Sequence, residues 1–209
     1  MEKLALTIYD MKIGPRYKIA RRLGPDIFPK TQSAKYALRA GKPMVKGYGR
    51  SEFGLQLKEK QRARFFYGIG ERQFARYVKN AIAKKTLRDD EALHLLLETR
   101  LDNVIYRLGF APSRQAARQY VSHGHFTVNG VRVTIPSYAV STGDLIRVRK
   151  GSEKSILFSS LADKVRDHVS PGWLRFDLTK GEATVVGMPR LVRTELPFNI
   201  GAILEFYRR

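Results

Sequence analysis

"RLDNVIYRLGFAPSRQAARQYVSHGHFTVNGVRV", Arg100 to Val133, carries three structural signals in succession. Leu101, Val104, Ile105 and Leu108 recur at helical spacing and predict one apolar helix face, with Arg100, Asn103 and Arg107 on the opposite side. Gly109 supplies a stop. Ser113 then predicts a cap for a second helix, Arg114 to His123, in which Ala116, Ala117, Tyr120 and Val121 share one half of the circumference. Arg114, Gln115, Arg118, Gln119 and Ser122 take the other half. Gly124 ends that helix, and "HFTVNGVRV" reads as a β-hairpin about Asn129-Gly130, a type I′ turn signal. Two short helices followed by a small sheet are therefore expected, with two arginine- and amide-rich helix faces directed outward.

Working outward, "IPSYAVSTGDLIRVRK" predicts a turn and a strand at Leu145–Val148. Residues 151–169 predict another helix, carrying Ile156, Leu157, Leu161 and Val165. "WLRFDLTKGEATVVGMP" alternates like two strands around Thr179–Gly181, and the tail "GAILEFYRR" reads as a further strand. Upstream, "SEFGLQLKEKQRARFFYGIGERQFARYVKNAIAKK" predicts helices over 52–66 and 71–85. In the second, Phe74, Val78, Ala81 and Ile82 form a buried stripe while Arg72, Arg76 and Lys79 share another face. Asp89, Asp90 and Glu91 mark the start of the next helix, where carboxylates complement free N–H groups and the dipole. Proline and glycine punctuate residues 1–50 too often for long helices. That segment reads as a basic arm, loosely structured until ordered against RNA, with a short helix within "KTQSAKYALRA".

Charge points to the partner. The 209 residues hold 39 Lys and Arg against 19 Asp and Glu, a net charge of +20. Residues 1–88 account for 22 of the basic and 6 of the acidic side chains, so the excess is concentrated there. Such self-repulsion is easiest to sustain beside a polyanion, and nucleic acid is the favoured one. No apolar run is long enough for a membrane span, and the first residues lack the plan of a signal peptide. The absence of cysteine excludes disulfides, thiolate catalysis and cysteine-based zinc sites.

Catalytic motifs are missing. The G-x-G pairs in "GYGRSEFG" and "GIGERQ" lack the third glycine and the strand-before-helix setting of a dinucleotide site, and no phosphate loop, nucleophile elbow or H-E-x-x-H occurs. His123 and His125 flank Gly124 at a corner between helix and strand. Metal binding and acid–base catalysis are the weaker readings of this pair. RNA contact by one or both is favoured, and a purely structural corner is the main alternative. A DNA-binding helix-turn-helix is the structural rival, weakened by the hairpin that follows directly.

The stretch from Arg100 through "IPSYAVSTGDLIRVRK" resembles the S-four RNA-binding domain. The flanking signatures "QLKEKQRARFFYGIGERQFARYV" and "ILEFYRR" extend the similarity over nearly the whole chain, to the family of bacterial-type small-subunit ribosomal protein four. The resemblance implies an α+β protein. Its parts are a basic N-terminal arm (1–50), a helical body with C-terminal strands (51–98 with 170–209), and an inserted α-β RNA-binding domain (99–169). It implies a non-catalytic, cofactor-free constituent of the small ribosomal subunit, in the cytoplasm or in an organelle-encoded ribosome. Such a protein binds small-subunit rRNA at a multi-helix junction, nucleates early assembly, neighbours small-subunit proteins five and three, and contributes to translational accuracy.

Transferred onto this sequence, the domain's RNA-contacting helix faces fall on Arg100, Asn103, Arg107, Ser113, Arg114, Arg118, Gln119 and His123. Arg16, Arg21, Arg22, Lys58, Arg62, Arg64, Arg72, Arg76 and Lys79 add the basic contacts of the arm and body. Lys42, Lys46 and Arg50 line the path by which mRNA enters. Many members carry an N-terminal zinc knuckle; here "GPRYKIARRLG" has no cysteine and must be ordered by packing and RNA. The alternatives are an RNA-modifying enzyme, since the same domain accompanies pseudouridine synthases and tyrosyl-tRNA synthetases, or a free regulatory RNA-binding protein.

Overall fold

The computed structural model describes residues 13–39, 51–84, 86–158, 165, 168–177 and 181–209. The chain divides into two units, Met1–Ala83 with Val192–Arg209, and Lys84–Leu191. The architecture is α+β.

The first unit is helical. Helix α1 (Arg16–Leu23), two short 3-10 turns and α2 (Ala34–Arg39) lead to α3 (Glu52–Tyr67) and α4 (Glu71–Ala83). Ser51 caps α3, its hydroxyl accepting from Gly54 N at 3.1 Å. The proline- and glycine-rich N-terminal segment has a core of its own, contrary to a loosely structured arm. Ala20, Leu23, Ile27, Phe28 and Tyr36 cluster there with Phe65 and Phe66 of α3 against them. Thr31 ties the turns down by donating to the carbonyls of Pro25 and Phe28.

The C-terminal tail is a helix, not the expected strand. Asn199 caps it, its side chain accepting from Ala202 N at 3.3 Å, and its residues Ile200–Arg208 pack on α3 and α4. Ile200, Ile203 and Leu204 are buried at i, i+3, i+4, and Tyr207 continues the same stripe beside Phe74. The β-rich composition of "ILEFY" yields to this helical spacing.

The second unit begins with α5 (Asp89–Glu98), α6 (Leu101–Arg107) and α7 (Arg114–Ser122). The Ser113 hydroxyl accepts from Ala116 N and caps α7. Strands β1 (Phe126–Val128) and β2 (Val131–Val133) form the hairpin, with Asn129 and Gly130 both left-handed (φ 50° and 81°), as a type I′ turn requires. The Asn129 side chain also links the turn to β3 (Leu145–Val148), accepting from Leu145 N at 2.9 Å.

After α8 (Lys150–Glu153) come β4 (Leu174–Asp177) and β5 (Glu182–Val185). The helix expected over 151–169 is broken early. Past α8 the chain turns and Ile156 is exposed, while Phe158 and the expected Val165, itself helical, are buried in the core; residues 159–164, 166 and 167, with Leu161 among them, lie outside the described residues.

The five strands among the described residues form one antiparallel sheet, in the order β2-β1-β3-β5-β4. The strands expected to accompany the helical body therefore complete the sheet of the second unit instead, and α5, also assigned to that body, falls in the second unit as well. Register explains the strands: Ile146 pairs with Ala183 and Phe176 with Ala183, so β3 gains hydrogen-bond partners while Leu174, Ala183 and Val185 join the core with Phe126, Leu101 and Ile105. One sheet face is thus packed by α6 and α7, and the other carries Thr127, Arg132, Arg147, Thr184 and Arg175.

Candidate nucleic-acid interface

Helix α4 presents its charges as its spacing predicts. Phe74, Val78 and Ala81 are buried on one side, while Arg72, Arg76 and Lys79 are exposed on the other. No carboxylate pairs with these three among the described residues. A row of cations one helical turn apart, on a rigid element and without counter-charges, suits a phosphate backbone.

The α6–α7 pair differs. Arg100, Asn103, Arg114 and Arg118, expected on outward polar faces, are all buried, with Arg100 and Asn103 at 2% exposure. Two buried carboxylates draw them in. Asp102 accepts from Arg100 (Nη2, 2.7 Å) and from Arg118 (Nε 3.0 Å, Nη2 2.9 Å), and it also receives Asn103 N. Glu98 accepts from Arg107 (Nε 3.0 Å, Nη2 2.9 Å) and Asn103 Nδ2 (2.9 Å), and the Asn103 carbonyl oxygen accepts from Arg114 Nε. The Arg114 guanidinium lies over the Tyr106 ring at 4.4 Å. A buried charge survives only when paired and hydrogen-bonded, so these arginines lock α5, α6 and α7 together. Of the residues assigned to this surface, Gln119 and His123 remain exposed, and Arg107 and Ser113 are half-buried.

The remaining candidates of the first unit divide similarly. Arg62 pairs with Glu59 at 3.1 Å and lies 4.0 Å from Asp26. Arg64 and Lys60 converge on Glu71, at 2.7 and 2.9 Å, and the Tyr207 hydroxyl donates to the same carboxylate. Burial pushes the Glu71 carboxyl up, but hydrogen bonds from Lys60, Tyr207 and Arg64 outweigh it and hold the carboxyl below its ordinary value. Burial, reinforced by the Glu71 charge, pushes the Tyr207 hydroxyl up. Arg22 is exposed, whereas Arg16, Arg21 and Lys58 are half-buried. Lys42, Lys46 and Arg50 lie outside the described residues.

At the corner between α7 and β1, the His123 and His125 rings are 5.9 Å apart. His125 packs on Tyr120 and Phe158, and its Nδ1 meets Ser152 Oγ at 2.9 Å, bracing α8. Its proton affinity is lowered first by burial and then by His123, Arg149 and Arg132. Among the described residues, no three His, Cys, Asp or Glu side chains converge to hold a metal ion.

Residues 99–146 match the family model described as the S4 domain, and residues 11–98 match the ribosomal protein S4/S9 N-terminal domain. A small ribosomal subunit protein uS4 of Roseiflexus sp. (strain RS-1) is 45% identical over 202 residues, covering 94% of this chain and 98% of the relative. The uS4 proteins of Chlorobium phaeovibrioides and Acetivibrio thermocellus are 42% and 41% identical over 197 and 204 residues, covering 92% and 94% of this chain and 96% and 98% of those relatives. The chain belongs to the uS4 family. That family consists of structural ribosomal proteins rather than enzymes, and its S4 domain is an RNA-binding module.

Within this uS4 chain the sheet continues through β4 and β5, beyond the S4 domain match that ends at 146. The reading from residue spacing missed the ionic roles of Glu98, Asp102 and Glu71, and it did not single out Arg132 or Arg149. Asp102 left a signal: it is a carboxylate set among Leu101, Asn103 and Val104, in a segment otherwise read as core on one side and basic on the other.

Proposed function

We propose that this protein is a structural constituent of the small ribosomal subunit that binds small-subunit rRNA directly and folds a multi-helix junction early in assembly. The observation that carries the reading is similarity to uS4 proteins along more than nine-tenths of the chain. Physical support comes from the net charge of +20 and from the unpaired basic face of α4. Cations on a rigid helix bind RNA by releasing condensed counterions, so association weakens steeply with salt. In this reading the basic segment around Lys42, Lys46 and Arg50 borders the path by which mRNA enters, proteins five and three are neighbours, and the contacts influence translational accuracy.

Two measurements test the proposal. Tagged protein expressed in cells is expected to co-sediment with small subunits through a sucrose gradient; recovery only in the free fraction contradicts a ribosomal role. Purified protein is expected to bind a small-subunit rRNA junction fragment more tightly than arbitrary RNA of equal length. Equal affinities rule out specific junction recognition.

A further inference from the structure

The Asn129-Gly130 turn carries a chemistry that its role in the hairpin does not use. Of Asn80, Asn103, Asn129 and Asn199, Asn129 alone is followed by glycine. An asparagine in that position can cyclise. The following backbone nitrogen, on losing its proton to hydroxide, attacks the side-chain carbonyl carbon, and glycine has no side chain to obstruct the approach. The bond from that carbon to Nδ2 breaks, and the nitrogen leaves as ammonia, protonated by water. Water then opens the resulting succinimide to aspartate or, by cleaving its main-chain side, to isoaspartate. Asn129 and Gly130 are both exposed, so solvent reaches them. Among the described residues no hydrogen bond occupies the Gly130 N–H.

Both ends of the Asn129 amide are nevertheless engaged. Oδ1 accepts from Leu145 N at 2.9 Å, and Nδ2 donates to Asp144 Oδ1 at 2.8 Å. Asp144 is itself held in place. Its second carboxylate oxygen accepts from Ser141 N at 2.8 Å, and its backbone carbonyl accepts from Val185 N of β5 at 3.0 Å. Cyclisation expels Nδ2, so it cannot proceed without giving up the Asp144 bond. A donor on a carboxylate makes a charge-assisted bond, stronger than a neutral one. We propose that Asn129 is a latent deamidation site whose cyclisation is restrained by the Asp144 carboxylate. The product removes its own restraint: an acid at 129 replaces the donor with a second carboxylate facing Asp144, and like charges that close repel. Isoaspartate also routes the main chain through the former side-chain carbon, which a two-residue type I′ connection does not accommodate. The exchange therefore unties the hairpin from β3. It does not depend on what the protein binds.

Full-length protein is incubated in mildly alkaline buffer, and peptide mass mapping follows the amide-to-acid mass gain at Asn129. Asn80, exposed but followed by alanine, is the internal reference. Folded wild type, wild type in denaturant and folded Asp144→Ala are compared. The variant is expected to deamidate at Asn129 roughly tenfold faster than folded wild type, the factor carried by one charge-assisted hydrogen bond, and to approach the rate of the denatured chain. Equal rates in the two folded proteins overturn the proposal. Should Asp144→Ala fail to fold, Asp144→Asn takes its place, because it keeps a hydrogen-bonding side chain and removes only the charge. It is expected to deamidate at Asn129 faster than wild type, and an unchanged rate again overturns the proposal. Deamidated wild type is expected to lose hydrogen-exchange protection at the Leu145 N–H, whose acceptor is Asn129 Oδ1. Full protection there overturns the release of β3.

Discussion

Helix α4 and the α6–α7 pair carry the same surface pattern in sequence and put it to opposite uses. In α4, Arg72, Arg76 and Lys79 sit opposite an apolar stripe and stay in solvent. In α6–α7, Arg100, Arg107, Arg114 and Arg118 also sit opposite apolar stripes, yet they turn inward onto Asp102, Asn103 and Glu98. The difference lies in the carboxylates within reach. A guanidinium with no acid nearby keeps its hydration, whereas one that can make a bidentate bond to a buried carboxylate is drawn into the packing between helices. An amphipathic pattern therefore locates the polar half of a helix without saying whether that half meets water or another helix.

The largest effect expected from breaking this contrast is at Asp102. Asp102→Ala leaves Arg100 and Arg118 buried without their shared acceptor and is expected to cost about 3–5 kcal/mol. Denaturant unfolding measures it. Adding Arg118→Leu to that variant is expected to restore part of the loss; no recovery means that Arg118 is not held by charge pairing.

Replacing Arg72, Arg76 and Lys79 with Gln probes the other side of the comparison. Stability is expected to stay within roughly 0.5 kcal/mol, while the salt slope for rRNA binding falls by about two to three units. An unchanged slope would return that face to the status of a solvated surface.

Glu71 supplies the intermediate case, because its side chain is 42% exposed where that of Asp102 is 3%. Its folded carboxyl titrates below the ordinary value of 4.5, so its stabilising contribution is complete above that pH and is lost as pH falls through the folded value. Unfolding midpoints measured down a pH series are expected to fall more steeply on the acid side in wild type than in Glu71→Gln. Parallel curves contradict a paired, titrating Glu71.

The elements legible in the sequence were those set by local chemistry: the Ser51 and Ser113 caps, the helical stripes of α4, α6 and α7, and the Asn129-Gly130 turn. The C-terminal helix had its signal too, in Ile200, Ile203, Leu204 and Tyr207, but β-rich residue types obscured it. The membership of β4 and β5 in the second sheet had no local signal, because strand pairing between β3 and β5 joins residues nearly forty positions apart. Of the candidate interface, the exposure of Arg72, Arg76 and Lys79 on α4 follows their spacing, while the burial of Arg114 and Arg118 on α7 does not.

By itself, the sequence determined that the protein is a basic, cysteine-free α+β chain with one helix–helix–hairpin motif, because charge, caps and turn residues act over a few positions. The tertiary structure alone decided which arginines remain available to a ligand. That outcome depends on Asp102 standing against Arg118, sixteen residues away. Pairing energies of buried charges are set by distance in space, and spacing along the chain does not contain that distance.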